Sequence, residues 1–250
     1  WAEALAVLRG EAPYQFAPSV VPAPQRLPAA ERRRAGAAVK VALSVADAAC
    51  MAAGSDPATL ATVFTSSSGD GANCHVLCET LAHPPGPDRL VSPTRFTNSV
   101  HNASSGAWHI AVASRASSTS LCAFDGSLGA GLIEAAVSVR ASAQPVLLVA
   151  SDSPYPEPLN GARPLPDHFG MALVLAPERS PQSICALSLH LTGPQTAAPS
   201  TGSESLDALH VIPAAAGLPL LRAIARGVAQ QGVAIDYLST IGLRVDVTPA

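Results

Sequence analysis

The sequence lacks any long hydrophobic run, and it carries few charges. Its longest apolar stretches, such as residues 145–150, are far shorter than the roughly 20 residues that a membrane-spanning helix needs. Charged residues make up 13% of the chain, and the formal net charge of −3 offers no broad electrostatic attraction for nucleic acid. We therefore expect neither membrane insertion nor nucleic-acid binding.

The patterns typical of disulfide frameworks, metal sites and nucleotide sites are also missing. The five cysteines are odd in number and scattered, so we expect reduced thiols and a cytoplasmic location. Cys74 and Cys78 share a helix face, but no second pair follows at zinc-site spacing, and core packing is expected for both. The P-loop, G-x-G-x-x-G, H-E-x-x-H and G-x-S-x-G patterns are absent. No metal or cofactor is predicted.

The sequence does contain an alternation of helical segments and short buried strands. In chain order, the first predicted elements are a short helix over 2–8 and a helix over 28–53 that Gly54 ends. They are followed by a strand over 60–68, a helix over 72–83, a helix capped by Ser99 or Asn102 that runs to about 114, a strand over 116–122, a helix over 126–139 and a buried strand over 145–151. This order implies an α/β sheet with helices on both faces.

The rest of the chain is less regular. Residues 152–167 form an irregular loop with five prolines, and loops of this length inside a compact domain are often functional. Strands are predicted over 169–177 and 183–191, followed by a polar linker over 192–205. A helix over 217–230 and a strand-rich piece over 233–247 complete the prediction.

Three segments carry a resemblance to a known family. They are "SPTRFTNSVHNASSGAWHIA" (92–111), "STSLCAFDGSLGAGLIEAA" (118–136) and "HFGMALVLAP" (168–177). In their order and approximate spacing, they resemble the N-terminal half of β-ketoacyl synthases. More narrowly, the chain is similar to the short chain-length-factor proteins of aryl polyene and related type II pathways, and the segments "LPAAERRRAGAAVKVAL" and "SSSGDGANCHVLCETLA" fit that subgroup.

This resemblance implies an α/β, thiolase-like fold layered α/β/α/β/α, with a shortened C-terminal half. Residues 1–190 are then a β-ketoacyl synthase-like N-terminal domain, and 191–250 an abbreviated C-terminal segment packed on the same core. The family begins with a central strand, but nothing before Ala30 reads as one, and the chain opens at Trp1 without a methionine. Either an upstream strand is missing from this sequence or the sheet is completed differently.

The resemblance also directs attention to Cys122. In the family, the nucleophilic cysteine lies on a tight turn between a strand and a buried helix, where helix amides stabilise a thiolate and an oxyanion. A glycine usually follows that nucleophile by three residues, whereas Gly126 follows Cys122 by four. Aligning the glycine puts Ala123 at the nucleophile position and makes that position inactive, although an insertion in the turn would restore Cys122.

The family's catalytic histidines are not recognisable in this chain. After residue 189, the only histidines are His190 and His210, and neither lies in the expected sequence context. Of His101 and His109, both in the segment beside the elbow strand, His101 is the candidate base for Cys122, although capping or a hydrogen bond in the core is also expected for it. A full catalytic set is therefore not predicted, and whether the chain is an enzyme stays open.

Three functions follow as expectations. The first is a chain-length-factor-like subunit that pairs with a ketosynthase and shapes the cavity for an acyl chain on acyl carrier protein. Phe124 and Phe169 would line that cavity, and the strand before the elbow, an edge strand, would pair with the partner. The alternatives are an independent acyltransferase or condensing enzyme with Cys122 as nucleophile, and a structural homodimer.

Overall fold

The computed structural model describes residues 1–194 and 200–250; residues 195–199, within the polar linker predicted over 192–205, lie outside the described residues. The α-helices in these ranges are α1 (Ala2–Arg9), α2 (Ala29–Arg34), α3 (Ala37–Ala53), α4 (Gly71–Ala82), α5 (Pro93–Thr97), α6 (Ala103–Val112), α7 (Ser127–Ser142), α8 (Leu159–Ala162), α9 (Glu204–Asp207) and α10 (Leu218–Arg226). The strands are β1 (Ala61–Thr65), β2 (Ser118–Leu121), β3 (Val146–Asp152), β4 (Phe169–Leu175), β5 (Cys185–Thr192), β6 (Gln230–Ile235) and β7 (Gly242–Pro249). Short 3₁₀ turns occur at Pro87–Arg89, Phe124–Gly126, Ala208–Val211 and Pro213–Gly217.

The first sheet has the strand order β2-β1-β3-β4. β1 runs parallel to both β2 and β3, and β4 is antiparallel to β3. Every residue of β3 is buried, because its side chains alternate between two cores. Val146 and Leu148 pack in one core with α7, whereas Leu147 and Val149 pack in the other with α3. The predicted α/β sheet with helices on both faces is confirmed.

β1 pairs directly with β3 along its whole length. Among the described residues, the first sheet is therefore assembled without any strand that precedes β1 in the chain. Both expected arrangements, an upstream strand outside this sequence and a sheet completed differently, therefore stay predictions.

The second sheet is antiparallel, with the order β5-β7-β6. Along β7, Leu243, Val245 and Val247 are buried in the same core cluster as residues of α7 and α10. The alternate residues Arg244 and Asp246 lie on the other face, which is polar. A sheet of this kind has one face in the core and one face in solvent. The described layers are thus helix, sheet, helix and sheet, so the described residues supply four of the five layers predicted.

Residues from both sides of position 190 build this core. β5 itself spans the position, and Val245 of β7 belongs to the same cluster as Leu128 and Leu132 of α7. The division into a domain over 1–190 and a segment over 191–250 stays a prediction. Within the described residues, no helix combines the length and apolar character that crossing a bilayer requires.

Two of the predicted helices differ from the observed ones. The helix expected over 28–53 is two helices, since the chain is extended at Ala35 and Gly36, where a Cβ at Gly36 would lie 2.5 Å from Asp70 Oδ2. The helix predicted to be capped by Ser99 or Asn102 begins at Ala103 with Asn102 at its N-cap position, which agrees with the second alternative, and a separate α5 precedes it. The last helix ends at Arg226 rather than at 230, because Gly227 adopts the left-handed conformation that stops a helix.

Candidate functional site

Three parallel strands end at one edge of the first sheet, and polar residues follow each of them. Ser66, Ser67 and Ser68 come directly after β1, Cys122 comes directly after β2, and Asp152 is the last residue of β3. In open α/β sheets, ligand and catalytic sites form outside the carboxyl ends of the strands. This edge is therefore the candidate site.

The connection from β2 to α7, residues 122–126, is a tight turn that we call the elbow. Its shape depends on Ser127, whose Oγ accepts the N–H of Ala123 at 3.0 Å and donates to the carbonyl of Phe124 at 2.7 Å. Phe124 has a φ of 51°, which is costly for a bulky side chain, by about 1–3 kcal/mol. Strained strand-to-helix turns of this kind carry the nucleophile in some enzymes. In this chain, the strained position carries a phenylalanine.

The elbow glycine, Gly126, packs closely against the loop before β7. A Cβ at Gly126 would lie 2.0 Å from the backbone oxygen of Tyr237, so this position must be glycine for the turn to pack against the loop before β7. The close approach of α7 to the sheet occurs one turn later, at Gly131, where a Cβ would lie 2.2 Å from Cγ2 of Thr65. The alignment that puts Ala123 at the nucleophile position stays a prediction.

Cys122 and His101, the two predicted catalytic candidates, lie side by side. The Cys122 Sγ is 3.1 Å from the His101 Nδ1. Both line an open cavity of about 280 Å³ that also includes Cys74, Ser68 and Val100. Burial, and then the negative charge of Asp152, raise the pKa of the Cys122 thiol above its ordinary value. The arrangement has the geometry of a cysteine–histidine pair, but its electrostatics favour the neutral thiol.

Asp152 is the buried carboxylate beneath this edge, with 3% of its surface exposed. It accepts the N–H and the Oγ–H of Ser67, both at 2.8 Å, and the N–H of Ala214 at 2.8 Å. Burial raises the pKa of Asp152 although these hydrogen bonds oppose the shift. The carboxylate thus ties the end of β3 to the loop after β1 and to the C-terminal segment.

The proline-rich loop after β3 brings two further residues to the elbow. The Arg163 guanidinium lies 3.9 Å from the centre of the Phe124 ring and forms an ion pair with Asp125. Its Nη1 donates to the hydroxyl of Tyr155 at 3.0 Å, and the Ser68 Oγ donates to that same hydroxyl at 2.8 Å. A functional role was predicted for this loop, but nothing in its sequence identifies Tyr155 or Arg163.

The remaining candidates lie away from the elbow or differ from prediction. His109 contacts Thr62 Oγ1 at 3.1 Å, a structural bond between α6 and β1. Phe169 is partly buried, pairs with Asp152 across β3 and β4 and packs on the core, so its cavity role stays a prediction.

The expected core packing of Cys74 and Cys78 is wrong, since both are exposed and only Asn73 of α4 is buried. Among the residues described, no group of three or more His, Cys, Asp or Glu side chains could hold a metal ion.

An apolar surface borders the elbow. β2 pairs with β1 alone in the described part of the chain, so its other edge is open. Beside it, Val100, Ile110 and Phe124 are exposed large hydrophobic residues, and Phe124 is 61% exposed. We call the open edge of β2 together with these three side chains the docking surface, because open strand edges and exposed apolar patches mark interaction sites.

Comparisons with known proteins identify the family and similar folds. The family model described as "Beta-ketoacyl synthase, N-terminal domain" matches residues 8–232. The chain is similar to one in a complex of the ketosynthase ApeO with its chain length factor ApeC from Xenorhabdus doucetiae, at 20% identity and a TM-score of 0.71, covering 98% of this chain and 92% of that one. It is also similar to a chain of the ishigamide ketosynthase/chain length factor, at 14% identity and a TM-score of 0.70, covering 99% and 94%. No curated protein matches the sequence significantly.

These similarities confirm the thiolase-like fold. Because the coverage is nearly complete in both directions, the matched chains are similar in length to this one. The family match also continues past the expected boundary at residue 190, as far as residue 232.

Proposed function

The chain belongs to the β-ketoacyl synthase family through its N-terminal domain, and on this premise we propose that it is a chain-length-factor-like subunit. It pairs with a ketosynthase in the cytoplasm and shapes the cavity in which an acyl chain grows on acyl carrier protein. The observation that carries this proposal is the elbow, where the strained position beside an open strand edge holds an exposed phenylalanine. Such an elbow offers an apolar wall and no nucleophile at its apex.

The docking surface supports pairing with a partner of similar fold. In a strand, the N–H and C=O of one residue point to the same side. The β2 carbonyls at Ser117 and Leu121 bond to β1, so the backbone groups of Ser118 and Ser120 point to the open edge. An equivalent strand from a ketosynthase would satisfy them and would cover Val100 and Ile110. Phe124 would then lie at the boundary between the two subunits.

Two similar solved structures point in the same direction. Each is described as a ketosynthase with a chain length factor, so chains with this fold occur in such complexes. Because their identity to this chain is low, the similarity establishes the fold and not the activity. The activity therefore needs a direct test.

Co-expression with ketosynthases encoded near its gene tests the proposal. We expect a stable one-to-one heterodimer by light scattering, and condensation of malonyl and acyl groups on acyl carrier protein that needs both chains. Activity that survives Cys122→Ala supports a non-nucleophilic role. A homodimer that affects no ketosynthase would contradict the proposal and would favour a purely structural role.

A second candidate function rests on the 3.1 Å contact between Cys122 and His101. In it, the Cys122 sulfur attacks the carbonyl of an acyl thioester, a new carbon–sulfur bond forms, and the bond to the carrier thiol breaks. His101 takes the Cys122 proton and returns it to the departing thiol. The test is incubation of the purified chain with acyl carrier protein thioesters. A mass increase that Cys122→Ala abolishes would favour this candidate, and no adduct on any cysteine would eliminate it.

A further inference from the structure

Phe124 depends on its neighbours for a defined position. Its side chain is 61% exposed, so the core leaves most of the ring uncovered. Its backbone is restricted to a φ of 51°, which sets the direction in which the side chain leaves the elbow. Rotation about the side-chain bonds of Phe124 stays unrestricted unless another group contacts the ring.

Arg163 makes that contact. Its guanidinium lies 3.9 Å from the centre of the Phe124 ring, within the range of a cation–π interaction. Asp125, the next residue of the elbow, forms an ion pair with the same guanidinium. Arg163 therefore contacts two residues of the elbow, the side chain of Asp125 and the ring of Phe124.

Arg163 is itself held by a buried tyrosine of the proline-rich loop. Its Nη1 donates to the Tyr155 hydroxyl at 3.0 Å, and Tyr155 is buried. The Ser67 Oγ lies 3.3 Å from that hydroxyl and donates to Asp152 at 2.8 Å. A continuous chain of contacts thus connects the buried carboxylate at the end of β3 to the Phe124 ring. A planar guanidinium with several donors suits this task, whereas a lysine ammonium would not reach all of these groups in one geometry.

We propose that Arg163 is a positioning residue that fixes the Phe124 ring at the docking surface and so determines how long an acyl chain the shared cavity accepts. This inference rests on the proposed function, because it needs a partner whose cavity Phe124 bounds. The acyl chain itself is an apolar, carrier-linked thioester. Arg163 acts on it through Phe124 and does not touch it.

The distribution of product chain lengths of the heterodimer tests this inference. Phe124→Ala removes the apolar wall, so we expect a severalfold rise in the share of products longer than the wild-type maximum. Arg163→Gln, which keeps Phe124, should cause the same shift to a smaller extent. In the Phe124→Ala background, Arg163→Gln should add nothing, since the ring through which it acts is gone. Phe124→Tyr, which keeps the ring, should retain the wild-type distribution.

Arg26→Gln is the matched control. Arg26 forms an ion pair with Asp47 at 2.5 Å but contacts no aromatic ring among the described residues, so this variant loses a comparable charge pair and should leave chain lengths unchanged. If Phe124→Ala shifts the products and Arg163→Gln does not, the positioning role is overturned. A shift by Arg163→Gln that persists without Phe124 overturns it as well. If an active heterodimer shows no shift with Phe124→Ala, the cavity role in the proposed function fails instead.

A measurement on the isolated chain tests the ring contact without any partner. With 4-fluorophenylalanine at position 124, we expect a fluorine resonance displaced from that of the free amino acid. Arg163→Gln should move it toward the free value and narrow it, while Arg26→Gln should not. An unchanged resonance in Arg163→Gln would overturn the contact, whatever the heterodimer does.

Discussion

The Sγ of Cys122 lies 3.1 Å from the Nδ1 of His101. Cys122 itself is two residues before the strained Phe124. The thiol is therefore at the foot of the elbow, facing the cavity that Cys74 and Val100 also line, and not at its apex. A cysteine at the foot of the turn lacks the backbone position that an elbow nucleophile uses. Its reactivity is the first quantity to measure.

We expect Cys122 to be alkylated slowly by iodoacetamide at neutral pH. Burial and the charge of Asp152 raise the pKa of its thiol, so the reactive thiolate is a smaller fraction at any given pH than in a free cysteine. The rate should rise with pH to a midpoint above about 8.5, the value of an unperturbed cysteine. Peptide mass spectrometry, with Cys122→Ala to identify the adduct, measures this. A midpoint below pH 7 would contradict it and favour the acyl-transfer candidate.

Gly126→Ala should destabilise the protein by about 1–3 kcal/mol or more, because its Cβ would meet the Tyr237 backbone oxygen at 2.0 Å and neither backbone can easily move. Gly106→Ala is the matched control. It lies within α6 with nothing within 4 Å of an added Cβ, and we expect it to stabilise the protein by about 0.5–1 kcal/mol. Urea unfolding midpoints compare the two. Equal midpoints would show that the close contact at Tyr237 does not constrain the elbow.

Asp152→Asn should lower the free energy of unfolding at pH 8 by about 1.5–3 kcal/mol, since an amide cannot accept from both Ser67 and Ala214 as the carboxylate does. Asp88→Asn, at an exposed position, should change it by less than about 0.5 kcal/mol. Burial raises the folded-state pKa of Asp152, so the folded state binds its proton more readily than the unfolded state does.

The raised folded-state pKa of Asp152 determines how the stabilities of the wild type and Asp152→Asn depend on pH. The contribution of Asp152 to stability is smallest above its raised folded-state pKa and grows as the pH falls through that pKa toward the ordinary aspartate value. The stability difference between the wild type and Asp152→Asn should therefore widen on mild acidification. Unfolding midpoints of both proteins between pH 8 and about pH 4 measure it. A difference that narrows with falling pH would mean that Asp152 has a lowered pKa.

Ser120→Pro should weaken heterodimer formation at least tenfold while the monomer stays folded, on the order of 1.4 kcal/mol of binding free energy. Proline removes the N–H that points to the open edge of β2, and edge strands tolerate proline. Ser120→Ala is the control, because it loses the 3.0 Å contact with Ser105 Oγ but keeps the N–H. Titration monitored by light scattering gives both affinities. Equal affinities would place the partner elsewhere on the surface.

Much of the fold was predictable because local patterns decide it. The continuous apolar run of β3 indicated a strand buried on both faces, and it is buried at every residue. Gly54 ended α3 as expected, through its left-handed conformation. The strand, turn and helix around Cys122 were also recognisable from sequence. The errors fell where a tertiary contact acts on a helix, as at Gly36 against Asp70.

The sequence by itself thus determined the α/β architecture, the family and the segment that forms the elbow. The tertiary structure alone decided which side chains meet there. Arg163 and Asp125 are 38 residues apart, and Ala214 and Asp152 are 62 apart, so no periodicity relates them. Such contacts depend on the path of a proline-rich loop and on the register between strands, which set distances between segments that local hydrophobic patterns cannot encode. For that reason Cys122 and Phe124 could be named in advance, whereas the strained backbone of Phe124 and the position of Arg163 against its ring could not.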